Sequence, residues 1–137
     1  MNSVLLDTNI LIYALDRSSS YYKESVQIFE NSNFKLFITS KVVSEYFAVC
    51  SKLDLDTSVI LNFYVELRKN TSLLFPNAET IELFEKMLAK YKPKGNRVYD
   101  LEIASVAAAY EIDFLASFNR DDFKNINEIK LLKIFDM

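Results

Sequence analysis

Val4-Leu5-Leu6-Asp7-Thr8-Asn9-Ile10-Leu11-Ile12 is the stretch on which the reading of this chain turns. An apolar run of strand character ends on a carboxylate, two small polar residues follow, and an apolar helical pattern begins. In open α/β sheets, ligands bind just beyond the carboxyl ends of the strands. An acid placed there faces a site while the strand behind it stays buried. Asp7 and Thr8 are also good N-caps, so the same residues read equally as the start of an ordinary helix. What decides between the two is whether later acids also stand at the ends of apolar elements.

Working outward, Ile10 to Leu15 reads as a short helix, and Ser18-Ser19-Ser20 as a polar break and a cap. A helix over Tyr21–Asn31 follows, then a strand over Phe34–Ile38. Thr39 and Ser40 cap a helix from Lys41 to Lys52, and Asp54 and Asp56 mark a turn and a new helix start. That helix carries Ile60, Phe63, Tyr64 and Leu67 on one face. Ser72–Phe75 is a short strand ended by Pro76. Asn77 caps a helix with Ile81, Phe84, Leu88 and Tyr91 at helical spacing, which Pro93 and Gly95 end. Val98–Tyr110 is an alanine-rich helix, and Asp113–Ala116 and Leu131–Phe135 are the last strand candidates. Strands alternating with helices predict an α/β fold with a parallel sheet covered on both faces. No linker divides the chain, so residues 1–137 are expected to form a single domain. The aromatic residues fall mostly on apolar faces and are expected in the core.

Composition narrows the chemistry. The chain has no histidine, one cysteine and one glycine. That excludes Ser-His-Asp triads, histidine acid/base catalysis and HExxH zinc sites, CxxC zinc motifs, and glycine-rich phosphate loops. What remains is carboxylates, hydroxyls, amides, lysines and hard, oxygen-bound metals, which suits Mg²⁺ or Mn²⁺. The formal net charge of −3 argues against wholesale coating of nucleic acid, although a metal can meet a phosphate locally. Cys50, alone, forms no internal disulfide and is expected as a small core residue. There is no membrane-length apolar run and no basic, signal-like N-terminus, so a cytoplasmic setting without membrane contact is expected.

The later acids do stand at the ends of apolar elements. Glu45 borders the stripe made by Val42, Ala48 and Val49. Asp100 opens a stripe continued by Ile103, Ala104 and Ala107, in the first turn of its helix, where a carboxylate also suits the helix dipole. Phe114-Leu115-Ala116-Ser117-Phe118-Asn119-Arg120-Asp121-Asp122-Phe123 repeats the pattern of strand, small polar residues, then acids, though it also reads as an Asx-rich turn. Asn119, Asp121 and Asp122 are the candidates there. Gathered carboxylates repel one another and raise one another's pKa. Holding a cation is the usual reason to gather them, and such a cation activates water and neutralises phosphoryl charge.

Asp7-Thr8-Asn9, Glu45 in a Ser-Glu helix, Asp100 opening an alanine-rich helix, and Ser117-x-Asn119-x-x-Asp122-Phe123 together resemble the PIN-domain ribonucleases, and among them the VapC-type toxins of toxin–antitoxin pairs. The ordered set spans nearly the whole chain. The resemblance implies a three-layer PIN-like domain, with a central parallel sheet flanked by helices. It also implies an acidic pocket that uses Mg²⁺ or Mn²⁺ to hydrolyse RNA phosphodiesters by in-line attack of water. It assigns Asp7, Glu45 and Asp100 as the catalytic, metal-binding triad, with Asn119, Asp122 or both completing it. Asn119 stands where a fourth acid is common, and Ser117 where threonine is usual. Thr8, Asn9 and Ser117 would orient carboxylates or the scissile phosphate. Lys92, Lys94 and Arg97, in the loop before Asp100, would contact flanking RNA phosphates, although a solvated basic loop is the plainer account. The implied partners are an RNA substrate, an antitoxin protein and a second copy in a homodimer.

Two other readings compete. One is a PIN-like module that binds RNA or protein without turnover, which the intact acid set argues against. The other is an aspartate-nucleophile phosphatase-like domain. A haloacid-dehalogenase-like site would want a second acid where this chain has Asn9, and a receiver-like domain would want an acidic pair and a strand-end lysine that the chain lacks.

Overall fold

The computed structural model describes residues 1–136. Its centre is a four-stranded parallel sheet in the order β3-β2-β1-β4, formed by β1 (Asn2–Leu6), β2 (Phe34–Thr39), β3 (Thr71–Leu74) and β4 (Phe114–Ala116). Val4 of β1 pairs with Leu36 on one side and Phe114 on the other. Val4, Leu5 and Leu6 are all fully buried, so both faces of β1 are covered. This is why the strand reads as a continuous apolar run with no polar alternation.

The helices are α1 (Thr8–Leu15), α2 (Tyr22–Glu30), α3 (Ser40–Cys50), α4 (Thr57–Lys69), α5 (Ala78–Tyr91), α6 (Arg97–Ala109) and the short α7 (Arg120–Phe123). Several start where local chemistry asks them to. The Thr39 hydroxyl accepts from Val42 N, and the Asp56 carboxylate from Ser58 N. Asn77 and Thr80 form a reciprocal capping box. Helix α5 ends at Lys92 with φ 48°, and Gly95 takes φ 59° in the loop beyond, a conformation a β-carbon disfavours.

The chain order places the site. From β1 the chain moves outward through β2 and β3, then returns to the other side of β1 as β4. That reversal opens a crevice beyond the carboxyl ends of β1 and β4. Asp7 follows the first strand and Ser117 the second.

Three expectations are corrected in detail. Leu131–Phe135 is not a strand: Leu131 makes a single parallel bridge to Leu115, and a 3-10 turn over Ile134–Asp136 follows. The buried side of α5 carries Thr80 and Met87, while Ile81 is 43% exposed, so the packed face is turned by about one residue. Ser20 does not cap α2. Its N-cap is Tyr21, without a side-chain bond, and Ser19 Oγ accepts from Tyr21 N. Cys50 is fully buried, as are Tyr46 and Phe123 to within 1%. Tyr99, Phe75 and Phe135 are, by contrast, more than half exposed.

Candidate acidic site

Asp7 caps a helix and also lines a cleft. It is the N-cap of α1, with Oδ1 accepting from Thr8 N at 2.9 Å. Oδ2 accepts from the Ser117 hydroxyl at 2.7 Å and from Asn9 Nδ2 at 3.3 Å. Asn9 then binds the loop after β4: its Nδ2 donates to Ser117 Oγ at 3.1 Å, and its Oδ1 accepts from Phe118 N at 3.1 Å. Ser117 is fully buried and also accepts from Asn119 N. Thr8, Asn9 and Ser117 therefore lock the strand ends together and aim the Asp7 carboxylate. Burial raises the Asp7 pKa, the bonds from Ser117 and Thr8 hold it down, and the charge of Asp122 pushes it up further.

Glu45 reaches the same place from α3, where its Oε2 accepts from Thr8 Oγ1 at 3.3 Å. Asp100 comes from the first turn of α6. Its carboxyl is pushed up to about 6, first by burial, then by the negative charges of Asp122 and Asp7, with Arg97 opposing and Glu45 adding. The groups that act on Asp100 are thus the other acids proposed for the site. Their mutual repulsion is the electrostatic condition a cation relieves.

Asp7, Glu45, Asp100, Asn119 and Asp122 all line one open cleft of about 1020 Å³, together with Thr8, Asn9 and Arg97. Asp121 does not belong there, for its side chain is 93% exposed and lies 3.4 Å from Lys124. Lys92 and Lys94 line a neighbouring depression that shares Arg97, Asp100 and Asp122 with the cleft. Among the described residues, no three acids stand close enough together to enclose an ion unaided.

The sequence reading missed Lys41 and Tyr99, which line the cleft beside Glu45 and Asp100. Lys41 Nζ lies 2.7 Å from Glu102 Oε1 and 3.2 Å from the centre of the Tyr99 ring. Its position one helical turn before Glu45, on the same face, was the available signal. Tyr99 directly precedes Asp100, but an aromatic residue beside an acid has no pattern of its own.

The PIN domain family model matches residues 4–129. A search of curated protein sequences gives no match. Among solved structures, the chain is similar to a chain of VapBC2 from Rickettsia felis bound to a promoter DNA fragment. The TM-score is 0.74 at 23% identity, over 95% of this chain and 97% of that one. VapBC-1 from nontypeable Haemophilus influenzae gives 0.72 at 23% identity, over 97% and 98%. VapC20 of Mycobacterium tuberculosis, described as a sarcin-ricin loop cleaving toxin, gives 0.72 at 10% identity, over 88% and 93%.

Proposed function

Because this chain belongs to the PIN-domain family, we propose that it is an endoribonuclease that hydrolyses RNA phosphodiesters with Mg²⁺ or Mn²⁺, and that it serves as the toxin of a toxin–antitoxin pair. The observation that carries this is the mutual electrostatics of the cleft. Asp7, Glu45 and Asp122 all press on Asp100 in a cleft that all four acids line.

The donor set fits a hard divalent ion. Mg²⁺ is commonly held by one or two carboxylates, the remaining positions going to water and phosphate oxygens, so an open set of acids suits it without a closed cage. Asp7, Glu45 and Asp100 are the residues to hold it. Asp122, whose charge is felt at both Asp7 and Asp100, is a better fourth acid than Asn119, which has no charge to contribute. When bound, such an ion activates water and neutralises charge on the phosphoryl group. The bond from Ser117 opposes the rise in the Asp7 pKa, and Thr8 Oγ1 holds the Glu45 carboxylate in the cleft. Arg97 and Lys41, at the cleft wall, are placed to take a non-bridging phosphate oxygen.

Partners follow from the same reading. The neighbours include VapBC assemblies, and α4 exposes Val59, Leu61 and Val65, each by nearly half. Leu61 and Val65, one turn apart on the same flank of α4, support apolar contact there with an antitoxin segment or a second copy. No described helix is long and apolar enough to cross a membrane, in keeping with a cytoplasmic setting.

The test is cleavage of a mixed RNA panel. Cutting should require Mg²⁺ or Mn²⁺, stop with chelator and vanish in Asp100→Asn. A second reading, an RNA-binding module without turnover, draws on the open arrangement of the acids. It predicts metal-dependent stabilisation with no cleavage of any RNA.

A further inference from the structure

A second groove, of about 750 Å³, lies on the other side of α7 from the acidic cleft. It is lined by Arg120, Lys124, Lys130 and Lys133 together with Phe114 and Phe123, and among the described residues no carboxylate lines it. In a chain of net charge −3, this is a local concentration of positive charge against the overall balance. Phe123, Ile126 and Leu132 are buried beneath the groove, while Phe114, Ile129 and Leu131 stay partly exposed in it. Lys124, Lys130 and Lys133 are exposed, so the groove offers charge beside a partly apolar wall.

The cations stand on fixed backbone. Leu115 N donates to Lys130 O and Leu132 N to Leu115 O, both at 2.8 Å. Arg120 Nη1 donates to Leu132 O at 2.7 Å, so Arg120 anchors the segment that carries Lys130 and Lys133. The acids nearby neutralise little. Asp121 meets Lys124 at 3.4 Å with both side chains well exposed, a weak pair in water. Asp113 is turned to the Ser3 backbone and hydroxyl, at 2.9 and 3.0 Å.

A third depression lies beside both the groove and the cleft. The depression lined by Lys92, Lys94 and Arg97 shares Asp100 and Asp122 with the cleft and Ile126 with the groove. Lys92, Lys94 and Arg97 therefore stand in the depression that adjoins both the acidic cleft and the basic groove.

We propose that this groove is a second RNA site, which holds the phosphate backbone of the strand a few nucleotides from the bond positioned in the cleft. It rests on the ribonuclease reading for the identity of the polyanion. The concentration of lysines favours a phosphate backbone, whose every unit carries a charge, over an acidic peptide.

The test is RNA binding in chelator, where nothing is cut. It compares a single-stranded RNA of about 20 nucleotides with one of about four, a span one binding module can hold. The variant is K124Q/K130Q/K133Q. Each phosphate contact to a single strand contributes about −0.7 to the slope of log affinity against log salt. The variant should therefore lose about 2 from the slope with the long RNA and bind the short one unchanged. A single K133Q, losing about 0.7, serves if the triple variant melts early. An unchanged slope overturns the proposal. So does a glutamate–leucine peptide that binds the wild type more tightly than RNA and is lost in the variant. Wild type that cuts no RNA with Mg²⁺ or Mn²⁺, while the variant loses its slope, removes the nuclease reading and leaves the groove standing. Normal cutting with an unchanged slope removes the groove alone.

Discussion

The Ser117 hydroxyl donates to Asp7 Oδ2 at 2.7 Å across the ends of two neighbouring strands. Ser117 follows β4 and Asp7 follows β1, so one hydrogen bond spans the crevice where the sheet order reverses. It is made by a fully buried side chain, and it opposes the burial that raises the Asp7 pKa.

Ser117→Ala should therefore push the Asp7 carboxyl higher still. The site needs Asp7 ionised, so the acidic limb of the pH–rate profile should move to higher pH, and activity near neutrality should fall by about tenfold, the equivalent of one moderate hydrogen bond. Ser117→Thr keeps the hydroxyl and should restore the wild-type profile. A Ser117→Ala profile that overlays the wild type would mean that the bond does not tune Asp7.

Asp100 gives a prediction about pH and stability together. Its pKa is raised to about 6 by burial and by the acids around it, whereas an unfolded aspartate titrates near 3.9. A carboxyl with a raised folded pKa is a cost when ionised. That cost is absent below about pH 4 and builds up as pH rises through about 6. Metal-free protein should gain stability from this residue as pH falls from 7 to 5, provided other groups titrate little there. Asp100→Asn should raise the metal-free melting temperature at pH 7 and flatten that pH dependence. Partial exposure screens the effect, so the gain is about 1 kcal/mol, or roughly 4 °C for a chain of this size. Stabilisation by Mn²⁺ should disappear in the same variant. A lower melting temperature at pH 7 would show that repulsion at Asp100 is not what the fold bears.

The residues differ in how plainly the sequence announced them. Val4-Leu5-Leu6 could be read as a doubly covered strand because three buried apolar residues in a row leave no solvent face. Asp7, Glu45 and Asp100 were legible because each interrupts an apolar pattern at its end. The Leu131–Phe135 segment was not, because its apolar residues serve a single bridge and a 3-10 turn, and composition does not separate these from a strand. Lys41 and the basic groove escaped for a different reason. Lys124, Lys130 and Lys133 are scattered singly among apolar residues, and only the fold of the segment after α7 collects them.

Tyr46 offers a stability test away from the acids. It is fully buried, and its hydroxyl donates to Ile60 O at 2.8 Å, joining α3 to α4. Tyr46→Phe keeps the ring and removes one hydrogen bond to a carbonyl inside α4, at a cost of about 1 kcal/mol. Denaturant unfolding should show a lower midpoint at unchanged slope, with RNA cleavage at low temperature intact. Loss of cleavage at wild-type stability would instead tie this helix pair to the site.

Asp7 separates catalysis from folding. It caps α1 through Thr8 N and lines the cleft, so its position suits either role and the question is which one activity needs. Asp7→Asn retains an acceptor for Thr8 N, and asparagine caps about as well as aspartate. It removes the charge whose burial is unfavourable, since the Asp7 pKa is raised despite its hydrogen bonds. Against that gain, an amide nitrogen would face Asn9 Nδ2, a donor that now points at Asp7 Oδ2. The two effects oppose, and metal-free stability should stay within about 1 kcal/mol of wild type. Cleavage, however, should fall to background, and melting should no longer respond to Mn²⁺. Asp7→Ala removes the cap and the acceptor for Ser117 as well, and should cost about 1 kcal/mol beyond Asp7→Asn. Melting curves with and without Mn²⁺, run beside an RNA assay, read both quantities on the same samples. An Asp7→Asn protein that still cuts RNA would reduce Asp7 to a helix cap and remove the first ligand from the proposed site.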